Sequence, residues 1–169
     1  MIQLSELYTL LDAELDHCLL LGKILLAERS LIETRQLDDL PKILRQKADL
    51  LSAVEAGYHQ RHSWLNSMGL PDSTSALADA IEQNSLQGRV HTTANSVSPE
   101  QCLEKWHELQ AAKSDCNEQN TINGIVITSA KKRNSLQLGI LKGIRPGKSL
   151  YDAKGQTIDQ KGSQKSQTA

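Results

Sequence analysis

Apolar residues return at intervals of about three and a half across the first 66 positions, and that recurrence leaves few folds open. Leu11, Leu15, Cys18, Leu25 and Ile32 form a seam, with Leu4 and Leu7/Tyr8 extending it backward. The spacing is helical and predicts one long helix over 4–35. Gly22 and Arg29 fall in the seam and make it imperfect. A second stripe, Leu10, Leu21, Ile24 and Leu31, widens the apolar face, which suits a helix packed on more than one neighbour. Gln36, Leu37, Asp38 and Asp39 make a short polar break. Asp38 or Asp39 can cap the next helix, and Pro41 suits its first turn. Heptad spacing resumes over 40–66 with Leu40, Leu44, Leu51, Val54, Tyr58 and Leu65. A link this short forces an antiparallel pair. At 1.5 Å per residue each arm is about 40 Å long.

Composition supports helices. Of 26 Leu, 18 lie in residues 1–70, while aromatics are 3% and Phe is absent. Sandwiches and barrels need β-branched and aromatic strand residues, so this chain argues against them. It also argues against an enzyme with a deep aromatic-lined pocket. The length of 169 residues suits one domain. Three Cys without tight spacing (Cys18, Cys102, Cys116) make no disulfide framework and point to a reducing, cytoplasmic setting. The start lacks the basic region of a secretory signal, and Lys23 interrupts the most apolar stretch, Cys18–Ala27. No membrane insertion is expected.

Beyond Gly69, Ser73 or Ser75 can start a short helix through Leu77 and Ile81, and 84–97 reads as a polar loop. Ser98-Pro99-Glu100-Gln101 is a helix start with Ser as N-cap, Pro in the first turn and Gln in the capping-box place. That helix carries Leu103, Trp106, Leu109 and Cys116. Residues 117–143 stay ambiguous: Asn123-Gly124 can end a helix or turn a hairpin before Ile125, Val126 and Ile127, and 128–142 fits either an amphipathic helix or a hairpin. The fold class is all-α, an antiparallel helical bundle built on a long helical hairpin. A helical domain at 1–143 precedes a flexible basic tail at 144–169.

Charge divides the same way. Residues 1–130 hold 10 Lys+Arg against 18 Asp+Glu, and residues 131–169 hold 9 against 2. A basic end on an acidic body marks an interaction segment. Its run Lys131-Lys132-Arg133 lacks the aromatic platforms of a nucleic-acid binder, so no nucleic-acid partner is expected. Gly143 to Ser149 imitates a phosphate-binding loop but has three residues between its glycines where four are needed. His59 and His62 share a helix, yet no further ligands stand at metal spacing, and neither is followed by the Lys-Gly of a phosphotransfer histidine. No nucleophile–base arrangement is readable. The chain reads as a non-enzyme without cofactor or metal. Tyr151, in an apolar pair with Leu150, reads as a short docking motif in the tail.

Several pieces occur in order along residues 5–155: Lys47 to Leu51, Arg61 before Leu65 and Gly69-Leu70, Trp106 to Leu109, and Cys116 to Gly124 with Ile125 to Ile127. Leu136 to Leu141 and Leu150 to Gly155 follow. In this order they resemble the flagellar export chaperones of the FlgN type. The resemblance implies a cytoplasmic chaperone that holds the terminal helical segments of hook-associated (hook–filament junction) proteins. It would prevent their premature assembly and deliver them to the flagellar type III export apparatus. It places substrate binding in the C-terminal helical region, here roughly Asn120 to Gly143, with Asn120, Asn123, Gly124, Ile125, Ile127, Leu136, Ile140 and Leu141 as its residues. Tyr151 is the expected export-gate contact. Without substrate, an exposed apolar stripe is expected to favour a homo-oligomer. The other readings are an adaptor or chaperone of another secretion system and a helical nucleic-acid binder.

Overall fold

The computed structural model describes residues 4–86 and 97–142. Four α-helices account for nearly all of them: α1 Leu4–Thr34, α2 Leu40–Met68, α3 Thr74–Leu86 and α4 Pro99–Leu141. The tail from 144 onward, with Tyr151, and residues 87–96 of the expected loop lie outside the described residues; residues 84–86, expected in that loop, instead complete the last turn of α3. Two compact units divide the chain, residues 1–127 and 128–169.

In the first unit α1 and α2 form the expected antiparallel hairpin. Glu14 meets Arg61, and Glu28 meets Lys47, so numbers rise on one helix as they fall on the other. The link is a 3-10 turn, Leu37–Asp39. Asp39 stands at the N-cap of α2 with Pro41 just inside, but no side chain makes the capping hydrogen bond. The expected aspartate cap is therefore corrected: the helical turn of Leu37–Asp39 leads directly into α2. The other end of α2 stops at Gly69, whose φ of 68° is the left-handed cap that glycine adopts without strain.

Up to Ile127, α4 runs parallel to α1. Lys105 pairs with Asp12, Cys116 Sγ donates to the Cys18 carbonyl at 3.2 Å, and Asn123 reaches Leu25. The unit is thus an up-down-up arrangement. Leu4, Leu7, Leu11, Leu15 and Cys18 of α1 pack with Trp64 and Leu65 of α2, Leu77 and Ile81 of α3, and Cys102, Trp106 and Leu109 of α4. A fully buried Leu or Ile is worth about 1.5–3 kcal/mol. The seam of α1 is therefore read correctly.

The seam of α2 is not. Leu65 is buried and Val54 half-buried, but Leu44, Leu51 and Tyr58 are exposed. Between Leu44 and Leu51, Lys47 reaches inward to Glu28 and to Asn120 of α4, so the facing layer there is polar.

The start of α4 follows its sequence closely. Gln101 N donates to Ser98 Oγ at 3.2 Å, and Ser98 N donates to Gln101 Oε1 at 2.9 Å, a reciprocal capping box. Ser98→Ala is expected to cost about 1 kcal/mol in urea unfolding. An unchanged midpoint would show that the box is not holding the helix.

Candidate functional site

Residues 117–143 resolve the ambiguity of the sequence: α4 is continuous to Leu141, with neither a stop nor a hairpin at Asn123-Gly124. Asn favours turns because its side chain competes for nearby backbone. Here that side chain is committed elsewhere. Asn123 is buried, its Nδ2 donates to the Leu25 carbonyl and to Glu28 Oε2 at 2.8 Å each, and its Oδ1 accepts from Arg29 Nε at 3.0 Å. Arg29 also donates to Gln119 Oε1. Glu28, itself buried, accepts from Lys47 Nζ at 2.8 Å, and Lys47 donates to Asn120 Oδ1 at 3.0 Å. This polar layer ties α1, α2 and α4 together. Its buried carboxylate and amide are satisfied from three helices. Arg29, one of the two imperfections in the α1 seam, is among the residues that meet Asn123.

A second buried polar cluster lies deeper. Arg61 is 1% exposed; its Nε donates to Glu14 Oε2 at 2.7 Å and its Nη1 to Asp72. Lys113 pairs with the other oxygen of Glu14. The guanidinium stacks 4.6 Å from the Trp106 ring centroid and 5.4 Å from that of Tyr58. Burial works against the Arg61 charge, but Glu14 and Asp72 outweigh it and hold its pKa above the ordinary value. Gly57 allows this packing: a Cβ there would stand 3.3 Å from Glu14 Cγ. His59 is exposed near Glu55, while His62 stacks on Tyr58 and contacts Asp72 at 3.0 Å.

The three thiols are free. Burial pushes Cys102 up to about 12 and Cys18 up to about 11, and raises Cys116 as well. Each buried thiol supports the fold while protonated. That contribution is whole below the ordinary value of 9.0 and is lost as pH climbs toward 11 and 12. At about pH 8 the half-buried Cys116 is expected to react first with a disulfide reagent and Cys102 last. Equal rates for all three would contradict this packing.

The expected substrate residues fall into two groups. In the first unit Asn123 is interior, Asn120 is exposed and holds Lys47, Gly124 is exposed, Ile125 is 61% exposed and Ile127 is half-buried. In the second unit, Leu136, Ile140 and Leu141 are 48%, 57% and 82% exposed, and Leu138 is exposed beside them. Single exposed apolar side chains are ordinary, whereas several close together on one helix make a candidate contact surface. Sequence reasoning missed further exposed apolar residues on the hairpin, Leu19 and Leu26 seven apart on α1, and Leu20 and Leu37. Their periodicity placed them on a helix but did not tell which face lacked a neighbour.

Long helices packed around one core, with apolar side chains left uncovered on α4, define an all-helical bundle protein. A family model described as FlgN protein matches residues 1–158, and the chain belongs to that family, the flagellar export chaperones of type III export. Neither the search of curated proteins nor that of solved structures yields a match. No helix among the described residues is long and apolar enough to cross a membrane.

Proposed function

We propose that this chain is a non-catalytic cytoplasmic chaperone that binds the terminal helical segments of hook-associated proteins, keeps them from assembling early and delivers them to the export apparatus. The observation that carries this reading is the cluster of exposed Leu136, Ile140 and Leu141 on a helix that needs none of them for its own packing. An amphipathic cargo helix can cover such a stripe, as helix-in-groove partners do. Ile125 is the contact proposed in the first unit, with Ile127 contributing less. Asn120 and Asn123 then serve the site by holding α4 in place, and exposed Gly124 is a proposed substrate contact beside Ile125. In this reading 1–143 is the chaperone domain, 144–169 is a polar tail, Tyr151 is the export-gate contact, and substrate-free copies self-associate through the same apolar residues.

The test is co-purification with hook–filament junction proteins, comparing the full chain with one that ends at Ala130. That end point keeps Gln119, Asn120 and Asn123, and with them the polar layer. Capture by the full chain and loss on truncation supports the reading. Equal capture by both keeps the chaperone and moves its site to the bundle. Failure of both, with capture of cargo from a different secretion system, replaces it with another chaperone.

A further inference from the structure

Resting on that reading of the site, we propose that the cargo segment is an acidic amphipathic helix: its carboxylates meet Lys132 and Arg133, and its apolar stripe covers Leu136 and Ile140, with Leu141 at the edge. Between Thr128 and Lys142 there is no Asp or Glu, and Lys131, Lys132 and Arg133 are exposed. Among the described residues none of the three has an ion-pair partner. Helical spacing sorts them. Lys132 and Leu136 are four apart, Arg133 and Leu136 three apart, and Leu136 and Ile140 four apart, so these share one face. Lys131 stands seven before Leu138, on a different face.

The chain already joins its own helices by this pairing. In each ion pair between α1 and another helix the acid lies on α1: Asp12 with Lys105, Glu14 with Arg61 and Lys113, Glu28 with Lys47. Lys105 and Lys113 are α4 bases with acidic partners. Lys132 and Arg133 are further exposed bases on the same helix, and no acid among the described residues pairs with them, which leaves them open to the carboxylates of a cargo helix. A complementary helix carries its carboxylates one to two turns, about 6–12 Å, from its apolar anchors. A lipid surface fits less well. An interfacial helix needs one apolar face, commonly with aromatic residues, whereas this segment has no aromatic and Leu138 departs from the face of Leu136 and Ile140.

The experiment measures binding of the full chain to synthetic terminal helices of hook–filament junction proteins, with helicity of every variant checked by circular dichroism. K132E/R133E is expected to weaken binding at least tenfold at about 50 mM salt and much less at about 500 mM. K131E is expected to weaken it less. A peptide with each Asp and Glu changed to Lys is expected to regain affinity for K132E/R133E. If L136A/I140A weakens binding while K132E/R133E leaves it within about twofold, the charge assignment fails and the site stands. If neither pair matters, the site itself is wrong. Equal loss from K131E would reduce the effect to a diffuse field and overturn the assigned face. Loss of binding to phosphatidylserine vesicles by K132E/R133E, with cargo binding intact, would assign the bases to lipid.

Discussion

An Arg61→Met chain is expected to lose about 3–5 kcal/mol of stability, the cost of leaving a buried carboxylate without its main partner. Glu14 is fully buried and would retain only Lys113. Asp72 would keep only His62. Met fills a similar volume, so the loss reports charge more than cavity. It corresponds to a fall in melting temperature of roughly 10–20 °C, readable by circular dichroism. The companion variant Glu14→Met/Arg61→Met removes both charges, and it is expected to recover much of the loss. If double and single variants melt together, the cost lies in the stacking on Trp106 and Tyr58, and the ion pair is incidental.

The other large effect is on binding. Leu136→Ala, Ile140→Ala and Leu141→Ala together are expected to leave the unfolding midpoint nearly unchanged, since all three side chains are exposed. Their combined truncation is expected to weaken cargo binding by about 100-fold, on the order of 1 kcal/mol for each anchor. Ala is a strong helix former, so the segment stays helical. Calorimetric titration against a hook–filament junction protein separates the two outcomes. Unchanged affinity would remove these residues from the site.

The sequence was most legible where physics is local. Ser98, Pro99 and Gln101 act within one turn, and the reading of a helix start there matches the capping box. The Leu seam of α1 specifies a direction, and a core stands in that direction. Leu44 and Leu51 follow the same rule, yet the residues facing that stretch of α2 are Glu28 and Asn120, which Lys47 meets instead. A heptad position fixes where a side chain points and not what meets it. Asn123-Gly124 is the clearest miss. Read locally it is a break; in the bundle the Asn123 amide is spent on Leu25, Glu28 and Arg29, about 95 positions away, with separations of 98, 95 and 94. Tertiary context overrides a weak local preference there. The exposure of Leu136, Ile140 and Leu141 was not legible, because their periodicity alone left helix and hairpin open.

The layer around Asn123 has a temporal consequence. Hairpin contacts close loops of 19 residues at Lys47–Glu28 and 47 at Arg61–Glu14, whereas Arg29 reaches Gln119 across 90. Longer closures cost more chain entropy, about 0.6 kcal/mol for each doubling. As the chain leaves the ribosome, α1 and α2 can pair before the residues that fasten α4 have been synthesised. The same ordering in reverse makes α4 around Asn123 the first part of the bundle to exchange its amide hydrogens through partial opening, while the Leu7–Leu11–Leu65 end keeps its protons longest.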